Sequence, residues 1–235
     1  DSDVIRYVQI KGTTVREIKQ RDIRDFVLLW AEEHALNADI REKIITSTKI
    51  AGSVVLERLS EVDLDFSTCT ADSQIFYFKK NDLQNVAVEV TGEGLKEHLD
   101  GATFGRYVWE ENVIPHRFTK LEDMFEITSS VDETGTTVWD IDVKDLSSPM
   151  FCYVINTSRL YWRKEIEERF ATEKERKAYH EAHKFEIAGE GLSETEIQEQ
   201  KLNLVNKIFS IGYMLHRHKD PSRAWAPQAM DNKIG

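Results

Sequence analysis

The chain has 235 residues, of which 40% are hydrophobic and 31% charged, and a formal net charge of −11. It is too apolar to be disordered throughout, and its length suits one large domain or two small ones with a real core. No apolar run approaches the roughly 20 residues of a membrane helix, and the acidic balance disfavours non-specific contact with nucleic acid.

The charge is uneven. Residues 1–147 carry 17 Lys and Arg against 29 Asp and Glu, whereas residues 148–235 carry 14 against 13. Phosphate contact is therefore expected from the second part. The start, DSDVIRYVQI, has neither a signal-peptide pattern nor a Met, which reads as a segment of a longer, cytoplasmic protein. Cys69 and Cys152 form no CxxC and read as reduced thiols.

In chain order, residues 4–10 and 15–18 read as a hairpin turned at Gly12. A helix is expected from about Asp22, with Phe26, Leu29 and Trp30 as an apolar stripe. NADIREKIITSTKI predicts a second helix capped by Asn37 or Asp39, and Ser53 a short third one. Strands follow at QIFYF and Val86–Val90, and GRYVWEENVI reads as a further pair. Thr134-Gly135 turns a hairpin in which Phe125 and Ile127 face Val138, Ile141 and Val143.

Ser148 and Pro149 then open a helix whose residues Phe151, Ile155, Ser158, Trp162 and Ile166 share one face. EKERKAYHEAHKF reads as a charged, exposed helix. Ser193 and Glu196 make a capping box for a helix running to about His216. That helix is apolar on nearly all sides from Leu202 to Leu215, which predicts deep packing of its second half. The fold class is α+β, with helices at both ends of an antiparallel β-rich middle. The expected divisions are a mixed domain at 1–147, a helical one at 148–219, and at 220–235 a truncated strand of a further domain.

Several constellations invite chemistry. Asp140 and Asp142 alternate along a strand, so both carboxylates share a face that could hold Mg²⁺. A solvated strand face is the simpler reading, since no third carboxylate is evident. YHEAH lacks one residue of the HExxH zinc motif. Arg217, Lys219 and Arg223 form a basic cluster at a helix end. They would either complement the helix dipole or contact phosphate. Arg159, Arg163 and Lys164 are further phosphate-contact candidates. No GxSxG, GxGxxG or GxxxxGK[ST] occurs.

VINTSRLYWRKEIEERF, IGYMLHRHKDPSRAWAPQAMD and DSQIFYFKKNDLQNVAVEVT followed by GRYVWEENVIPHRF together resemble one family. It is the region just before the ATPase core of primase-helicases from phages and mobile elements of Bacteroides-type bacteria, relatives of superfamily 3 helicases. The resemblance implies a strand near 224–230 leading to a phosphate-binding loop beyond Gly235, and ATP and Mg²⁺ as cofactors of the parent protein only. It implies a downstream motor domain, DNA, a primase and further copies of the chain as partners. No catalytic residue is expected in this segment and no membrane contact. The alternatives are a metal-dependent nucleic-acid enzyme using Asp140 and Asp142, or an adaptor without a DNA role.

Overall fold

The computed structural model describes residues 6–47, 49, 52–81, 84–99 and 105–228. It is α+β, and the chain divides into two compact units, 1–118 and 119–235.

In the first unit, β1 (Tyr7–Lys11) and β2 (Thr14–Ile18) form the expected hairpin, turned by Gly12 at φ 59°. Three helices follow: α1 (Gln20–Glu33), α2 (Ala38–Thr46) and the single turn α3 (Ser53–Leu56). Asn37, rather than Asp39, caps α2, its side-chain oxygen accepting the Asp39 N–H at 3.0 Å. The stripe on α1 is only half-covered: Ala31 is buried, but Phe26, Leu29 and Trp30 stay exposed.

The centre of this unit is a four-stranded sheet in the order β5-β4-β3-β7. β3 (Ser73–Lys79) pairs antiparallel with β4 (Asn85–Thr91), and β4 pairs antiparallel with β5 (Gly94–Leu99). β5 is a strand that residue pattern did not announce, because GLKEHL is polar and lies at a sheet edge. GRYVWEENVI does not form a strand pair. β6 (Val108–Trp109) joins β2 in parallel, a turn of 3₁₀ helix intervenes, and β7 (Ile114–Arg117) joins β3 in parallel. Ile75, Tyr77, Ala87, Val108 and Val113 make the core of this unit. Burial pushes the Tyr77 phenol up to about 12.

The second unit opens with the hairpin of β8 (Phe125–Val131) and β9 (Thr137–Val143). Phe125 opposes Val143 and Ile127 opposes Ile141, as expected, but Val138 pairs with Ser130 on the other face, beside Asp140 and Asp142. The hairpin packs on α4 (Pro149–Asn156) and α6 (Glu194–Leu215) through a core of Ile141, Phe151, Val154, Ile155, Ile187, Leu204 and Val205. It thus belongs with the helices that follow it.

Ser148 caps α4 as expected, accepting the Phe151 N–H at 3.3 Å. The shared face of Phe151 to Ile166 is broken after Ser158. The Ser158 and Thr157 hydroxyls donate to the Val154 carbonyl, the chain turns, and a π-helical turn covers Arg163–Glu167. Trp162 consequently lies outside the core. The charged helix α5 (Glu173–His183) is exposed except for the buried Tyr179 and the half-buried Arg176 and His183, and its N-terminus carries a capping box of Thr172 and Glu175.

α6 meets the expected burial only in part. It is most deeply buried at its middle, at Gln200, Leu204 and Val205, and its apolar second half is packed on one side only. Leu204, Val205, Ile208 and Ile211 face the core, whereas Leu202, Phe209, Met214 and Leu215 are exposed. Among the described residues no helix is long and apolar enough to cross a membrane.

Candidate functional site

All the sequence candidates lie in the second unit: Arg159 inside it, the Arg163–Lys164 and Asp140–Asp142 pairs at its surface, and Arg217, Lys219 and Arg223 past the end of α6. The Arg159 guanidinium and the Glu165 carboxylate form an ion pair with side-chain exposures of 3% and 0%. Arg159 Nη1 also donates to the His183 carbonyl at 3.5 Å, and the Tyr179 hydroxyl donates to Glu165 at 3.4 Å. Arg159 Nε and Glu165 Oε2 have no hydrogen-bond partner. Burial is the main reason the Tyr179 phenol is held above its ordinary value. Arg159 is therefore a core residue rather than a surface cation. The segment following α5 closes over the pair: Gly189 lies against the Glu165 carboxylate, and the Tyr179 hydroxyl accepts the Glu190 N–H at 3.3 Å. The Gln200 amide donates to the Ile187 carbonyl at 2.7 Å.

Arg163 and Lys164, both on the π-helical turn, are at the surface and each has a carboxylate. Arg163 lies 3.8 Å from Glu167. Lys164 bonds both oxygens of Glu196, at 2.6 and 2.8 Å. Glu196 is also the capping-box carboxylate of α6, accepting the Ser193 N–H at 2.7 Å and hydroxyl at 2.9 Å. The Lys164 ammonium first, and then Ser193, lower its pKa to about 2 from an ordinary 4.5. The folded chain therefore holds Glu196 ionised at pH values where the unfolded chain has protonated it, and this contribution is lost as pH falls from about 4.5 to about 2. Glu196→Gln is expected to flatten the decline of the urea midpoint across that window, measured against the unaltered chain.

One member of the acidic strand pair is ion-paired as well. Asp140 bonds the Lys201 ammonium at 2.7 Å, and Lys201 lowers its pKa. The hairpin register places Glu126 opposite Asp142, a third carboxylate on that face which only cross-strand pairing reveals, and Glu126 pairs with Lys144. Lysines thus stand against Asp140 and Glu126. Among the described residues no three His, Cys, Asp or Glu side chains could together hold a metal ion.

The remaining candidates stand at the C-terminal end of α6. From Glu196 to Leu215 the helix rises roughly 28 Å, so this end is remote from Lys164 and Asp140. Lys219 folds back, its ammonium donating to the Tyr213 and His216 carbonyls and lying 4.0 Å over the Tyr213 ring. It thereby completes the helix end against the dipole. The Trp225 N–H donates to the Tyr213 hydroxyl at 2.9 Å, which fixes the 216–225 turn against the helix. Around this turn Arg217 and Arg223 are exposed, as are Phe209 at 62% and Trp225 at 68%. The aromatic members were not among the sequence candidates. The all-round apolarity of Leu202–Leu215 implied burial for Phe209, and only the one-sided packing of α6 leaves it outside. Residues 224–228 form no strand, and the rest of the predicted strand, 229–230, lies outside the described residues.

No protein-family model, no curated protein and no solved structure matches this chain.

Proposed function

We propose that the chain is an accessory domain of a DNA-replication primase-helicase, placed just before the ATPase motor. In this reading it docks DNA, a primase or the motor and assists oligomer assembly, with ATP and Mg²⁺ belonging to the motor. The observation that carries it is the end of α6. There, exposed aromatic and aliphatic side chains lie beside exposed arginines in an otherwise acidic chain. The three family-like stretches support it, and the absence of any GxxxxGK[ST] assigns no phosphate-binding loop to these residues.

Two measurements test this. The parent reading frame should encode a Gly-Lys-Ser/Thr phosphate-binding signature downstream. The purified chain should bind labelled DNA weakly at low salt, lose it with added salt, and turn over no ATP. ATP hydrolysis by the chain, or a parent frame with no such signature, overturns the reading. The exposed Phe26, Leu29 and Trp30 of α1 favour a second reading, an adaptor for protein partners with no DNA role. Absence of any DNA binding by the chain joined to its native downstream segment would favour it.

A further inference from the structure

We propose that the C-terminal end of α6 is a platform for single-stranded nucleic acid, with Phe209 and Trp225 taking unstacked bases and Arg217 and Arg223 the phosphates. The inference rests on the DNA-docking reading above and adds the strand form that the site selects.

The geometry of α6 gives the first support. Leu202, Phe209 and Tyr213 are spaced by seven and four residues, so they share the helix face turned away from Leu204, Ile208 and Ile211. The Phe209 and Tyr213 rings lie nearly parallel, 18° apart with centroids at 6.3 Å. Tyr213 is held from two sides, Lys219 lying over its ring and its hydroxyl accepting the Trp225 N–H. The Trp225 main chain is therefore anchored while its indole faces solvent. Holding large apolar rings in water is unfavourable, and fixing them there lowers the entropy cost of stacking a partner on them.

Charge selects the partner. Residues 202–225 hold four Lys and Arg, one Asp and no Glu, in a chain whose net charge is −11. A polyanion fits this end and is repelled by the rest of the surface. Strand form follows from the rings. A duplex buries its base faces in the stack, whereas a single strand offers every base to an aromatic surface. Charge alone would favour the duplex, whose phosphates are more densely spaced, so a preference for the single strand must come from the rings.

The test uses the whole chain and fluorescence polarisation at low salt, with labelled oligo-dT of about 20 nucleotides, a duplex of equal length, oligo-rU and poly-glutamate. Oligo-dT or oligo-rU should bind at least fivefold more tightly than duplex, and comparing the two separates DNA from RNA. Phe209→Ala and Trp225→Ala should each weaken single-strand binding roughly five- to hundredfold while leaving duplex binding and the salt slope unchanged. Arg217→Ala/Arg223→Ala should reduce the log–log salt slope by about 1.4. Both aromatic side chains are exposed, so thermal melts should match those of the unaltered chain. Equal affinity for duplex with no effect of Trp225→Ala overturns the platform but leaves DNA docking standing. Poly-glutamate binding as tightly as oligo-dT overturns it in favour of an acidic protein partner. Loss of self-association in Phe209→Ala, with nucleic-acid binding intact, assigns the face to a second copy and also overturns it.

Discussion

Gly189→Ala is expected to destabilise the second unit by about 3 kcal/mol, at the upper end of ordinary overpacking. A Cβ at Gly189 would fall well inside contact distance of the Glu165 carboxyl carbon and both its oxygens. A carboxylate at the end of a flexible side chain can usually step aside. This one is fully buried and tied to Arg159 and Tyr179, so moving it breaks the ion pair. Gly212, on the exposed part of α6, meets nothing within 4 Å, and Gly212→Ala should be neutral or stabilise by up to about 1 kcal/mol through helix propensity. Urea unfolding of the two variants provides the check. A Gly189→Ala loss below that of a typical surface change would show that Glu165 is not held as described.

Arg159→Met is expected to destabilise by about 3–5 kcal/mol, because it leaves the Glu165 carboxylate buried without a counter-charge. The pair itself need not stabilise the fold. Desolvating two charges offsets most of their attraction, and the orphaned Arg159 Nε and Glu165 Oε2 make the offset larger here. The double variant Arg159→Met/Glu165→Met should therefore recover most of the loss, and the cycle should show strong coupling. Additive single losses would mean that the two side chains matter through packing alone. Arg159→Lys should fail to rescue, since one ammonium cannot span both Glu165 and the His183 carbonyl as a guanidinium does.

What could be read in advance followed from local chemistry. The caps at Asn37, Ser148 and Ser193, the turn at Gly12 and the β8–β9 hairpin all depend on residues a few positions apart, and they stand where the sequence pattern puts them. Non-local features were not legible. β5 is polar because it is an edge. β6 and β7 separate because their partners, β2 and β3, lie far away in sequence. The depth of Arg159 could not be inferred from RLYWRKE, whose other cations, Arg163 and Lys164, stay at the surface. Apolarity around all of the second half of α6 suggested burial on every side, yet only one side has a partner here. For the candidate site, charge at Arg217, Lys219 and Arg223 was visible, but the exposure of Phe209 and Trp225 was not.

The side chains of α6 reach almost every other part of its unit: Gln198 bonds Trp139, Gln200 bonds Tyr161 and Ile187, Asn203 bonds Ser158, and Lys207 bonds Thr157. Among the described residues this helix is also the last element in chain order. Everything from the hairpin at Phe125 onward must therefore wait, incompletely packed, until α6 has been synthesised. During translation that interval is when the nascent unit is most vulnerable to proteases and most dependent on chaperones.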